Sequence, residues 1–143
     1  MASAGTHLLL DGYVRDAKVF TRDRLEELFA RLLAALEMQP LDKAMHYEVP
    51  IDPEVLERVR RTGRFEDEGG LSSIQVLSTS HLSLHSWPLQ GFFSADCFSC
   101  KEFNALLARA IIVEALGVRS FNMTVVARRK PEDGELLTHY FEV

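Results

Sequence analysis

Apolar and polar positions along this chain switch between a helical and an extended period. From Thr21 onward, Leu25, Leu28, Phe29, Leu32, Leu33 and Leu36 recur three and four residues apart, predicting an amphipathic helix to about Met38. His7 to Val14 reads as a first strand ending near Arg15–Asp16, and Lys43 to Val49 alternates weakly as another. Asp52-Pro53 offers an N-cap and a first-turn proline for a short helix that Gly63 closes. Gly69-Gly70 marks a turn. Ser72 to Thr79, Ser80 to Trp87 and Gly91 to Phe98 are three extended runs, rich in β-branched or aromatic residues or alternating in polarity. Ser99-Cys100-Lys101-Glu102 has the form of a capping box, predicting a helix through Leu106, Leu107, Ala110, Ile111 and Leu116 with Gly117 as its C-cap. Phe121 to Arg128 alternates as a strand, Pro131 to Gly134 turns, and Leu136 to Val143 returns as another. These elements predict a single α+β domain over 1–143. It is a two-layer sandwich, a mainly antiparallel sheet with helices packed on one face. An α/β arrangement ranks second.

Composition narrows the function classes. Apolar residues are 47% and charged residues 26%, the balance of an ordinary globular protein. The formal net charge is −5, which argues against a nucleic-acid or anionic-membrane partner, because those need clustered cations. The basic runs Arg58, Arg60, Arg61 and Arg128, Arg129, Lys130 are short and offset by nearby acids, so they read as solvated surface. The early apolar stretch, Leu8 to Leu10, has no basic region before it, and no run of about eighteen apolar residues suggests a membrane span. Two cysteines without an export signal point to the cytoplasm, where both thiols stay reduced.

Reactive side chains concentrate in Ser78-Thr79-Ser80-His81-Leu82-Ser83-Leu84-His85-Ser86-Trp87-Pro88 and in Asp96-Cys97-Phe98-Ser99-Cys100. On a strand, His81, Ser83 and His85 share one face. Three readings of the residues compete. One is an alternating strand with its polar side toward water. Another is a zinc site built from His-x3-His and Cys-x2-Cys, but on a strand those histidines stand roughly 13 Å apart, too far to share an ion. The third is a serine or cysteine nucleophile beside a histidine base.

The run Ser78–Pro88 resembles the processing-site motif of the bacterial and archaeal S-adenosylmethionine decarboxylases, of the type Ser-Glu-Ser-His-Leu-Thr-Ile-His-Thr-Trp-Pro. Asp96 to Cys100 resembles that family's second element, at the family's distance from Ser80. Gly5-x-His7-Leu8-Leu9 with Asp11, and Gly70-x-Ser72, are similar to two further elements in the family's order. The resemblance implies a self-processing, pyruvoyl-dependent decarboxylase feeding spermidine synthesis. Ser80 would attack the carbonyl of Thr79, and the chain would part into 1–79 and 80–143 with a pyruvoyl group, formed from Ser80, heading the second piece. That ketone takes a substrate's primary amine as a Schiff base and withdraws electrons as CO2 leaves. By the same resemblance His85 accepts the proton during processing, Ser72 supports the reactive geometry, and Cys100 donates a proton to the substrate carbon. Phe65 and Trp87 are candidate substrate-stacking surfaces. No metal is implied, and a homodimer of cut protomers is.

Departures from the family pattern bear on rate and substrate. Thr79 stands where the family usually has glutamate, and a β-branched residue there stiffens the backbone and crowds its own carbonyl, which implies slower processing. Leu89 replaces the glutamate that usually follows Trp-Pro and is associated with ribose hydroxyls. Leaving those hydroxyls unpaired would cost about 1–3 kcal/mol. By the resemblance S-adenosylmethionine leads; loss of that carboxylate suits ornithine or arginine, which rank second, and an unprocessed regulatory relative or Cys/His metal module ranks third. If the capping box holds, a helix dipole acts on Cys100 and favours thiolate, which Asp96 or partial burial would have to offset. Cys97 reads as core. Glu66, Asp67 and Glu68 suit either a diamine-attracting patch or a solvated turn, and His7, His46 and His139 have no assigned partner.

Overall fold

The extended runs assemble into one antiparallel sheet in the computed structural model, which describes residues 4–138. In chain order the elements are β1 (Gly5–Val14), α1 (Arg22–Ala35), β2 (Met45–Val49), α2 (Glu54–Thr62), β3 (Gly70–Leu77), β4 (Ser80–Trp87), β5 (Phe92–Ser99), α3 (Ala105–Leu116) and β6 (Val118–Arg128). The six strands lie in the order β2-β3-β4-β5-β1-β6. The predicted α+β sandwich is the observed one, with α1 and α3 packed together on one face of the sheet.

Strict alternation sorts each central strand into two faces. Leu8, Leu10 and Val14 of β1, Leu82 and Leu84 of β4, and Phe93, Ala95 and Cys97 of β5 are buried. They meet Leu25, Leu28, Phe29 and Leu32 of α1 and Ala108, Ile111, Ile112 and Leu116 of α3 in a single apolar core. Period-two strands and period-3.6 helices can close such a core only face to face, so the predicted helix stripe became the observed buried stripe. The residues between them (His81, Ser83, His85 and Trp87 on β4, Phe92, Ser94, Asp96 and Phe98 on β5) form the opposite face and remain partly or fully exposed.

Two glycines singled out in the sequence are required by close approach. A Cβ on Gly5, whose φ is 144°, would stand 2.6 Å from the Ser99 carbonyl oxygen. At Gly70, with φ 136°, it would collide with the Ser86 carbonyl. Both pin a strand terminus beside the segments in which the candidate site residues collect.

Several boundaries differ from the sequence reading. The capping box at Ser99–Glu102 does not start a helix. Ser99 stays paired in β5 opposite Ser80 and Thr6, and α3 begins at Ala105, capped by Asn104, whose side chain accepts from the Leu107 amide at 3.0 Å. The backbone of Ser99 is held extended by strand pairing on both sides, so the helix starts only further on, where Asn104 can cap it. Thr21 caps α1, accepting from the Arg24 amide at 3.2 Å, while that helix closes at Ala35, before Met38. Asp52 accepts from the Glu54 amide at 3.0 Å, although Pro53 occupies the cap position of α2. Ser78 and Thr79 make a turn instead of ending β3, and β6 starts at Val118, directly after Gly117. Leu136 to Thr138 are not a strand, and the remainder of that predicted element, with His139, lies outside the described residues. Among the described residues no helix is long and apolar enough to cross a membrane.

Leu28 is 1% exposed at the centre of the helix–sheet contact. Leu28→Ala is expected to lower unfolding free energy by about 3 kcal/mol in urea titration. Leu41→Ala, at a residue 66% exposed, is expected to change it by less than about 0.5 kcal/mol.

Candidate active site

The β3–β4 reversal brings the two reactive segments together. Leu77 pairs with Ser80, leaving only Ser78 and Thr79 to turn the chain. Two-residue hairpin loops favour positive φ within the loop. Here neither loop residue has it, and the backbone adjustment falls on Ser80, with φ 158°. That value is rare for a residue carrying a Cβ, and it sits immediately after the bond expected to break.

The Thr79 carbonyl oxygen, the one that would gain charge when Ser80 attacks, accepts a hydrogen bond from the backbone N–H of Cys100 at 3.0 Å. Ser99 Oγ donates to Thr79 Oγ1 at 2.9 Å and accepts from the Lys101 amide at 3.0 Å. Ser80 lies opposite Ser99 in the β4–β5 register. Thr79, Ser80 and Cys100 are thus gathered at one end of the sheet. Cys100 is exposed, in the loop before α3 and not in a helical first turn, so the helix-dipole argument for it falls away. The Asp96 carboxylate is taken by His7, Oδ1 to Nε2 at 2.8 Å.

Ser72 and His85 form a second group. They are cross-strand partners, with Ser72 Oγ and His85 Nδ1 at 2.8 Å. An odd separation of five residues puts His85 on the face opposite to Ser80's, roughly 16 Å along the strand. One protomer therefore does not bring His85 to Ser80. Beside His85, Trp87 packs on Phe65 at 5.0 Å and on Phe92 at 5.5 Å between ring centroids, so the two candidate stacking residues do meet. Ser72, His85, Trp87 and Asp67 line a small cavity of about 80 Å³ here.

The acidic turn is not a freely solvated one. Glu68 is 1% exposed and its carboxylate accepts from the Leu89 and Gln90 amides, at 2.7 and 3.0 Å, and from Gln90 Nε2 at 2.9 Å. Asp67 accepts from Trp87 Nε1 at 2.9 Å, and Glu66 accepts from Arg58 Nε at 2.9 Å. The Asp67 and Glu68 carboxylates fasten the end of β4 and the β4–β5 turn that carries Leu89, from some twenty residues away and beyond the reach of local pattern, whereas Glu66 pairs with α2. His46, unassigned from sequence, bridges Glu26 at 2.8 Å and Ser73 at 2.6 Å. The zinc quartet is not assembled. Cys97 points into the core, Cys100 lies in a loop, and the two histidines occupy the other face.

Burial, reinforced by the neighbouring Asp96 charge, pushes the Cys97 thiol up to about 12. Only the thiolate reacts, so iodoacetamide at mildly alkaline pH is expected to label Cys100 and to spare Cys97 until the protein is denatured. Peptide mass mapping reads this directly, and rapid labelling of Cys97 in the folded protein would overturn its assignment to the core.

Comparison with known proteins follows the same residues. A family profile described as S-adenosylmethionine decarboxylase matches residues 6–129. The S-adenosylmethionine decarboxylase proenzyme of Anoxybacillus flavithermus is 37% identical over 51 residues, covering 36% of this chain and 41% of that protein. An arginine decarboxylase proenzyme of Caldivirga maquilingensis is 32% identical over 63 residues, covering 43% of this chain and 47% of that one. The matched stretch is thus less than half the length of either relative. The crystal structure of the adenosylmethionine decarboxylase from Aquifex aeolicus shares the fold, with a TM-score of 0.69 and 21% identity over 96% of this chain and 100% of that chain. The profile match runs through Ser72, Thr79, Ser80, His85 and Cys100, and over this span the chain belongs to the S-adenosylmethionine decarboxylase family.

Proposed function

We propose that this chain is a proenzyme that cuts itself between Thr79 and Ser80, forming its own pyruvoyl group, and then decarboxylates a small substrate bearing a primary amine. The observation that carries this reading is the Thr79 carbonyl held on the Cys100 amide at 3.0 Å, next to the serine hydroxyl that would attack it. Ser80 Oγ gives up its proton and bonds to the Thr79 carbonyl carbon, and the Cys100 N–H stabilises the charge gathering on the carbonyl oxygen. The C–N bond then breaks, the nitrogen takes a proton, and an ester links residues 79 and 80. Loss of the Ser80 Cα proton expels Thr79 as a carboxylate. Addition of water and departure of ammonia leave a ketone at residue 80. The residues fit such a group: a serine at a strand start, an amide donor on the preceding carbonyl, and an exposed thiol nearby. The ketone supplies an electron sink for decarboxylation, and Cys100 Sγ delivers a proton to the substrate carbon afterwards.

The separation of Ser72 and His85 from Ser80 supports a homodimer in which each protomer's His85 serves the partner's cleavage end. The same arrangement brings the Phe65–Trp87 surface over the partner's reacting end. S-adenosylmethionine is the leading substrate, in a cytoplasmic setting. Leu89, with the arginine decarboxylase relative, favours arginine or ornithine as the second reading.

Intact mass under denaturing conditions is expected to show two fragments parting after Thr79, the second with a keto end group, and no cut in Ser80→Ala. A persistent single chain near 16.2 kDa would sink the proenzyme reading. Cys100→Ala is expected to cut yet lose at least about a hundredfold in turnover. Release of labelled CO2 from S-adenosylmethionine, arginine and ornithine, measured side by side, decides the substrate. Ser80→Ala and His85→Ala chains should each stay whole alone. In a mixture the His85→Ala chain should be cut, and failure there would remove the partner from the site.

A further inference from the structure

We infer that Ser99 is a positioning residue for the cut at Thr79–Ser80, acting through the Thr79 side chain; this rests on the proenzyme reading above. Ser99 is 0% exposed, and its one hydroxyl proton goes to Thr79 Oγ1 at 2.9 Å while its oxygen accepts from the Lys101 amide at 3.0 Å. The next residue, Cys100, holds the Thr79 carbonyl through its backbone N–H at 3.0 Å. Two successive residues of β5 and its exit thus grip Thr79 at two points, side chain and carbonyl.

One grip alone would not hold the carbonyl. Ser78 and Thr79 form a two-residue loop without the positive φ values whose twist matches the flanking strands, so the turn geometry does not by itself set the peptide plane before Ser80. Rotation would swing the carbonyl oxygen off the Cys100 amide, and a preorganised donor works only while aimed at the developing charge. Thr79 is β-branched and has few rotamers, so fixing Oγ1 also fixes the backbone to which it is attached. Serine at 99 and threonine at 79 therefore act as one unit. A glutamate at 79, usual in the family, has no γ-hydroxyl to receive this bond. After the cut, the same grip retains the new Thr79 carboxylate at the end of the 1–79 fragment.

Cutting is timed by intact mass on freshly translated protein for the wild type, Ser99→Ala, Thr79→Val and the double variant. Each single change is expected to slow the cut by about ten- to a hundredfold. The double variant should be no slower than the slower single, within about twofold, because both changes delete one hydrogen bond. Ser99→Thr, which keeps the hydroxyl, is expected to restore most of the rate. Thr79 lies on a partly exposed turn, so Thr79→Val tests the idea even where Ser99→Ala unfolds. Wild-type cutting rates in Ser99→Ala or Thr79→Val, or slowdowns that multiply in the double variant, would overturn the positioning role and leave the proenzyme reading intact. A wild-type chain that never cuts overturns both.

Discussion

The hydrogen bond between the Cys100 amide and the Thr79 carbonyl exists because β3, β4 and β5 are held in a single antiparallel register. Thr79 closes one hairpin, whereas Cys100 follows the strand that pairs with the hairpin's second arm. A slip of one residue between β4 and β5 would separate them and send Leu82, Leu84, Phe93 and Cys97 to the wrong face. The buried leucines of the sheet therefore guard the bond proposed to be cut. Gly5 and Gly70 serve the same register, since a side chain at either would push a neighbouring strand away.

The uncovered face gathers the remaining polar groups into two stations. One lies toward the Thr79–Ser80 end of the sheet, where His7 is paired with Asp96 and His81 sits against Phe98 at 5.8 Å. The other is the Ser72–His85 pair with its aromatic neighbours, several residues further along the sheet. Rigid strands keep these stations apart, and no side-chain rotation spans the gap. Glu68 adds order to the second station by satisfying two backbone amides of the β4–β5 turn from a buried position. A carboxylate near Leu89 is thus already committed to structure.

Much of the fold was legible because it rests on period alone. The α1 stripe, the three central strands and the Gly63 and Gly117 caps follow from local spacing and from the glycine preference for left-handed φ. The helix start at Ser99 was misread because a capping box is a local signal, and a tertiary claim on that side chain outcompeted it. The backbone of Ser99 is paired with Ser80 and Thr6 on either side, so the chain stays extended there and its hydroxyl, though it accepts from the Lys101 amide, opens no helix. The candidate chemistry was readable as a cluster of residue types, and resemblance gave each its expected role. Who bonds to whom was not, since Glu68 and Leu89 or His46 and Glu26 lie about twenty residues apart.

The sequence by itself determined the kind and order of the main helices and strands, the identity of the buried stripe and the segment in which reactive groups collect, because these depend on the order and spacing of residues within a few turns of chain. The tertiary structure decided that Thr79 is gripped by Ser99 and Cys100, that Cys100 lies outside the helix, and that His85 stands away from Ser80. Those outcomes depend on strand register and face, which long-range pairing sets.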